Sequence, residues 1–110
     1  MDSVRFREGI KLFNSAEFFE AHEVLEDVWR GAPAAEKKFL QGLIQVAVAL
    51  HHHSKGNRTG ARSLLARARR NLSGYPDEFG EIDLKPLMES LALWQEALED
   101  GQPVPPLPRI

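Results

Sequence analysis

The fold is decided by the stretch AAEKKFLQGLIQVAVALHHHS, residues 34–54. From Phe39 to Leu50 its apolar residues recur at intervals of three and four and occupy most of the circumference of a helix. A helix that is apolar on most sides is usually covered by several neighbours. We therefore predict a long central helix over about residues 34–54.

Four amphipathic helices are predicted around the central one. Each carries one apolar stripe with the helical period, and turn or breaker residues such as Gly31, Pro33 and Gly101 separate them. Their predicted ranges are about 3–13, 16–30, 59–72 and 84–99. Long-range alternation of the strand type is absent. The predicted fold class is all-α, a compact bundle of about five helices that forms a single domain over residues 1–110.

Composition limits the classes of function. The 110 residues are 43% hydrophobic and 27% charged, with a net charge of −2, so no global field attracts nucleic acid. The absence of cysteine excludes disulfides, thiolate catalysis and Cys-ligated metal sites. No apolar run reaches the roughly 20 residues of a membrane span or resembles a secretory signal. We expect a cytoplasmic protein without a membrane association.

The C-terminal segment, residues 103–110 (PVPPLPRI), contains four prolines, which force an extended backbone. One interpretation is a strap that lays Val104, Leu107 and Ile110 along the bundle. The other is a ligand for a proline-binding module. The strap is favoured because a P-x-x-P match alone is a weak signal.

Polar side chains break the apolar pattern in the second and third helices. His22 lies on the apolar face of the second helix, with Glu26 one turn later. Gln41, Gln45 and His52 form a polar stripe along the otherwise apolar central helix. Because the connection between the two helices is short, they should be antiparallel neighbours. We expect these five side chains to meet in one partly buried cluster.

Three hypotheses fit this cluster. In the first, His22, Glu26 and His52 hold a divalent metal in a metal-dependent hydrolase, although Glu26 stands where a zinc-protease helix has its second histidine. In the second, the cluster is a pocket for a small polar ligand, with His22 or Glu26 as acid or base. In the third, it is a satisfied structural network in a structural or oligomerising bundle. Depending on the hypothesis, the expected partner is a small ligand, another protein or a second copy of the chain. The sequence pattern does not decide whether the protein is an enzyme.

A basic stripe on the fourth helix is the other candidate. Arg58, Arg62 and Arg69 share one side of that helix, as expected of a surface that contacts phosphate or RNA. No aromatic residue is interleaved to stack on bases. We therefore interpret the stripe as a solvent-exposed face of the fourth helix and do not expect a nucleic-acid partner.

Three motifs resemble a family of small bacterial and archaeal helical proteins that is catalogued as a domain of unknown function. They are FFEAHEVLEDVW at 18–29, FLQGLIQ at 39–45, and His52 followed by Gly56 and Asn57. The resemblance covers about residues 5–73 and implies a helical bundle. Its characteristic polar positions correspond to Glu20, His22, Glu23, Glu26, Trp29, Gln41, Gly42, Gln45 and His52, with His51 as the alternative to His52. It thereby adds Glu23 and Trp29 to the candidate cluster.

Overall fold

Five helices account for most of the computed structural model, which describes residues 3–110. In chain order they are α1 (Ser3–Asn14), α2 (Phe18–Arg30), α3 (Ala34–Ser54), α4 (Arg58–Leu72) and α5 (Leu84–Asp100). The predicted all-α bundle is confirmed, with helix boundaries within two residues of the predicted ones. The largest difference is at α2, which begins two residues late because Ala16 takes a left-handed φ of 61° in the turn before it.

The central position of α3 follows from its apolar circumference. Both α2 and α4 pack against α3, and α1 packs mainly against α2. Gly42 lets α4 come close, because a Cβ built there would lie only 2.6 Å from Leu72 Cγ. Every fully buried residue within 3–110 is apolar. The helices are therefore joined by hydrophobic packing, without a buried polar network.

A short β-hairpin precedes α5 and was not predicted. Strand β1 (Glu78–Phe79) pairs with β2 (Ile82–Asp83) in antiparallel register. Gly80 and Glu81 both have positive φ, 58° and 65°, as a two-residue hairpin turn of type I′ requires. Strands of two residues are too short to show an alternating pattern, so the sequence carries no periodic signal for them.

The proline-rich segment lies along the bundle, as the strap interpretation predicts. Trp94 Nε1 donates to the carbonyl of Pro106 at 3.0 Å, while Val104 and Ile110 pack against the core. Leu107 is only half covered, with 48% of its surface exposed, and it borders a surface depression together with Phe18, Phe19 and Leu50.

No helix in the described part of the chain is both long enough and apolar enough to cross a membrane.

Candidate functional site

An open cleft of about 330 Å³ lies between α2, α3 and α4. Its volume is at the lower end of the range of roughly 300–1,000 Å³ typical of small-molecule sites. Polar side chains from α2 and α3 form one part of its lining, and aliphatic side chains form the rest. The lining residues are His22, Glu26, Trp29, Gln41, Ile44, Gln45, Val48 and Leu64.

The antiparallel packing of α2 and α3 creates this cleft. Phe19, in the first turn of α2, contacts the ring of His51 near the end of α3, with 5.5 Å between ring centroids. At the other end of the pair, Lys37 Nζ donates to the carbonyl of Trp29 at 2.9 Å. His22 and Glu26, between these two contacts on α2, therefore lie opposite the middle of α3, where Gln41 and Gln45 are located.

His22 and Glu26 form a contact at the cleft wall. His22 Nε2 lies 3.2 Å from Glu26 Oε2, and the two side chains are 22% and 42% exposed. The other carboxylate oxygen, Glu26 Oε1, lies 3.6 Å from Nη2 of the solvent-exposed Arg30. Partly exposed ion pairs of this kind contribute about 0–1 kcal/mol to stability. The pair is therefore too weak to be important for folding.

A hydrogen bond within α2 orients the ring of His22. Its Nδ1 lies 2.9 Å from the carbonyl oxygen of Phe19, which can only accept, so Nδ1 is the donor in this contact. The other ring nitrogen, Nε2, faces the carboxyl group of Glu26 at the cleft wall. The pair therefore places a polar contact at the edge of the cleft.

Trp29 contributes an unused hydrogen-bond donor. Its Nε1 is covered from solvent and has no acceptor within residues 3–110. Lys37 Nζ lies 4.1 Å from the centroid of the Trp29 ring, a cation–π contact that holds the indole in place. A buried donor without an acceptor costs about 1–3 kcal/mol. Because the atom is covered from solvent, a molecule in the open cleft does not contact it in this structure.

The glutamines of α3 differ in how they are held. Asn71 Nδ2 of α4 donates to Gln45 Oε1 at 2.8 Å, which leaves the Gln45 amino group as a free donor. Gln41 is exposed at the rim, and its amide makes no hydrogen bond to any residue that the structure describes. Sequence reasoning missed Asn71, whose position on the partly buried side of α4, next to Leu72, was the available signal.

The structure brings five of the seven candidate residues to the cleft: His22, Glu26, Trp29, Gln41 and Gln45. Glu23 is exposed and does not line it, because it is one position from His22 and consecutive residues of a helix point in different directions. The aliphatic lining residues Ile44, Val48 and Leu64 were predicted only as helix-packing residues.

His52 is the clearest correction to the predicted cluster, because it does not line the cleft. Its Nδ1 instead lies 3.4 Å from Asn57 Nδ2 in the turn after α3. The physical reason is the antiparallel register, in which the last turn of α3 lies opposite Phe19 and not opposite His22. His51, the alternative, contacts Phe19 and is also outside the cleft.

The metal hypothesis required His22, Glu26 and His52 to converge, and they do not. Throughout residues 3–110, no group of three or more His, Asp or Glu side chains is arranged to hold a metal ion. The cleft offers one imidazole and one carboxylate, already in contact with each other. Amides, an indole and aliphatic side chains form the rest of its lining, and they fit an organic ligand better than a metal.

Two of the five arginines of α4 make hydrogen bonds within the fold. Arg58 donates to the carbonyl oxygens of Ala97 and Leu98 at 2.9 and 3.1 Å, where α5 ends. Arg69 donates to Gln95 Oε1 at 2.7 Å. Two of the three arginines in the predicted stripe therefore connect α4 to α5.

Comparison with known proteins identifies related sequences of undefined role. Residues 6–64 match the family model described as "Domain of unknown function (DUF309)". The chain is 39% identical over 64 residues to the "Uncharacterized protein YpuF" of Bacillus subtilis (strain 168), covering 57% of this chain and 37% of that protein. It is 35% identical over 79 residues to an "Uncharacterized protein" of Aquifex aeolicus (strain VF5), covering 71% of this chain and 24% of that protein. The chain thus spans well under half the length of both relatives.

Proposed function

Because the chain belongs to the DUF309 family, and because the matched residues 6–64 include every residue that lines the cleft, we propose that this domain binds a small organic molecule there. The observation that carries the proposal is the solvent exposure and incomplete hydrogen bonding of the polar groups in the cleft. A purely structural network would be buried, with its hydrogen bonds satisfied. Here His22 and Glu26 are partly exposed beside an open space, and the exposed Gln41 at its rim makes no hydrogen bond to any described residue.

The distribution of chemistry in the cleft supports the same proposal. Binding sites for small molecules combine an apolar surface with a few convergent polar groups that fix orientation. Ile44, Val48 and Leu64 supply the apolar surface. The pair His22–Glu26 supplies a polar anchor whose contribution to stability is small. We regard ligand binding as the role that these side chains serve.

A matched pair of substitutions tests the proposal. Leu64→Phe places a larger ring in the cleft, whereas Leu93→Phe makes the same change at a residue of α5 that is 56% exposed and does not line the cleft. A fragment library is screened by ligand-observed NMR against the unmodified protein and both variants. We expect hits whose affinity falls at least about tenfold in Leu64→Phe and is unchanged in Leu93→Phe, because the added ring occupies the ligand's space.

His22→Ala provides a second arm that separates binding from stability. We expect it to weaken the same hits while lowering the free energy of unfolding by less than about 1 kcal/mol, since the pair that it removes is partly exposed. The proposal fails if the library yields no hits. It also fails if both phenylalanine variants bind the hits as the unmodified protein does.

A further inference from the structure

The two helices that form the walls of the cleft carry opposite charge. On one side, α2 contains four acidic residues and one arginine, whereas α4, on the other side, contains five arginines and no acidic residue. The whole chain has a net charge of only −2. Positive and negative side chains are therefore separated by helix, and the cleft lies between an acidic helix and a basic one.

Two side chains on each of these helices have no ionic partner within their own chain. Glu20 and Glu23 of α2, the acidic edge, are exposed, and so are Arg67 and Arg70 of α4, the basic edge. None of the four lies in an ion pair anywhere in residues 3–110. By contrast, every arginine of α1 and α2 pairs with a carboxylate. The charges of the two edges are thus available to a second molecule.

Both edges flank the cleft at the same level of the bundle. At 100° per residue, His22 lies between the buried side of α2 and the exposed Glu23. In the same way, Leu64 lies between the buried side of α4 and the exposed Arg67. His22 and Leu64 both line the cleft. Each edge therefore borders the cleft on the side that faces away from the core.

The face formed by the two edges and the cleft is complementary to itself. Because α2 and α4 each run antiparallel to α3, they run in the same direction, and the end of α4 at Leu72 packs on Gly42 near the start of α3. The two charges of each edge also have the same three-residue spacing. A two-fold axis parallel to these helices keeps their direction and exchanges the edges, so each acidic edge meets the basic edge of the other copy.

We propose that this face is the interface of a homodimer with that two-fold symmetry. Ile44, Val48 and Leu64 stay partly exposed in a single copy and supply an apolar centre, while the charged edges form the rim and fix the register. The two clefts then face each other, so a molecule bound there lies between the copies. The dimer goes beyond the ligand binding proposed above and does not depend on it.

The oligomeric state of the full chain tests the proposal directly. In sedimentation equilibrium at low salt, we expect the mass to rise with protein concentration towards twice the 12.4 kDa of the chain. Raising the salt concentration to about 0.5 M should increase the dissociation constant about tenfold or more, since exposed charge pairs are screened.

Charge reversal on one edge at a time provides the decisive arm. The acid-reversed variant carries Glu20→Arg with Glu23→Arg, and the base-reversed variant carries Arg67→Glu with Arg70→Glu. Each places like charges opposite each other on both sides of its own dimer, so each should be monomeric. Mixed in equal amounts, the two variants should form a heterodimer, because every edge then meets an edge of opposite charge.

Reversal of two carboxylates outside this face is the matched control. Glu96→Arg with Asp100→Arg changes the charge of α5 by the same amount, at exposed positions that do not border the cleft, and should leave the dimer intact. Circular dichroism checks that each variant keeps its helices. If a double variant does not fold, the single changes Glu23→Arg and Arg67→Glu replace the two double variants and are mixed in the same way.

Three results would overturn the homodimer. They are a chain that stays monomeric at every concentration at low salt, a dimer that persists in both reversed variants, and reversed variants that remain monomeric when mixed. The first would leave the face to a different partner, and the second would place the interface elsewhere on the molecule. The fragment screen with Leu64→Phe, which detects the ligand and not the oligomer, decides separately whether the cleft binds small molecules.

Discussion

Gly42 shows how one residue determines the spacing of two helices and thereby the shape of the cleft. It follows Gln41, which lies at the cleft rim, along α3. Leu72 of α4 occupies the space that a side chain at position 42 would take. Since Leu72 is 1% exposed, it has little room to move. The close approach of α4 also brings Asn71 within reach of Gln45, so the hydrogen bond between them depends on Gly42.

We expect Gly42→Ala to lower the free energy of unfolding. The new Cβ meets Leu72 Cγ at 2.6 Å, and overpacking of this kind costs about 1–3 kcal/mol, which outweighs the gain of up to about 1 kcal/mol in helix propensity. Urea denaturation measures the change. Gly31→Ala is the control, because a Cβ there meets nothing within 4 Å and stability should stay within about 0.5 kcal/mol. Equal stability of the two variants would show that α4 adjusts freely.

At the scale of the elements, the helices begin in different ways. Asn57 caps α4, with its side-chain oxygen accepting from Gly60 N at 2.9 Å, and Asp83 caps α5 by accepting from Lys85 N at 3.2 Å. Glu17, at the start of α2, and Pro33, at the start of α3, make no such hydrogen bond. The start of α4 therefore depends on a side chain, while the starts of α2 and α3 depend on packing.

The difference in capping gives a prediction with a built-in control. Asn57→Ala removes the acceptor for Gly60 N and should lower the free energy of unfolding by about 0.5–2 kcal/mol. Glu17→Ala, at the equivalent position of α2, removes no capping hydrogen bond and should change it by less than about 0.5 kcal/mol. Thermal and urea melts of both variants provide the comparison, and a larger loss in Glu17→Ala would contradict the assignment of the caps.

At the scale of the whole molecule, the proline-rich segment joins the last residue of the sequence, Ile110, to the end of the first helix. Asn14, the last residue of α1, donates from Nδ2 to the Ile110 carbonyl at 2.9 Å and accepts from Ile110 N at 2.7 Å. Together with the bond from Trp94 to Pro106, these contacts hold the segment against the bundle. The radius of gyration, 12.9 Å, agrees with the roughly 13 Å expected for a compact chain of this length.

Asn14→Ala should release this segment. It leaves the partly buried N–H and carbonyl of Ile110 without partners, which costs about 1–3 kcal/mol of unfolding free energy. Amide hydrogen exchange should show faster exchange at Ile110 N, and urea denaturation should show the loss of stability. Ser15→Ala, at the next and exposed position, should change neither. Unchanged exchange at Ile110 in Asn14→Ala would mean that the other contacts suffice.

The sequence by itself determined the helices and their order, because the period of the apolar residues reports directly which face of each helix is buried. It also determined that α3 is central and that His22 and Glu26 can touch, since both follow from positions within one helix. The cleft could be predicted as far as His22, Glu26, Gln41 and Gln45 because the connection between α2 and α3 is short.

Only the tertiary structure decided what depends on the relative register of separate helices. The register between the antiparallel helices α2 and α3 places His52 beyond the end of the cleft. The packing of α4 against α3 adds Leu64 to the cleft lining and brings Asn71 within hydrogen-bond distance of Gln45. It also leaves the indole N–H of Trp29 buried without an acceptor among residues 3–110. Periodicity gives the direction of a side chain around its own helix, but its height against a neighbouring helix is set by the packing of the buried side chains, which is a property of the assembled core.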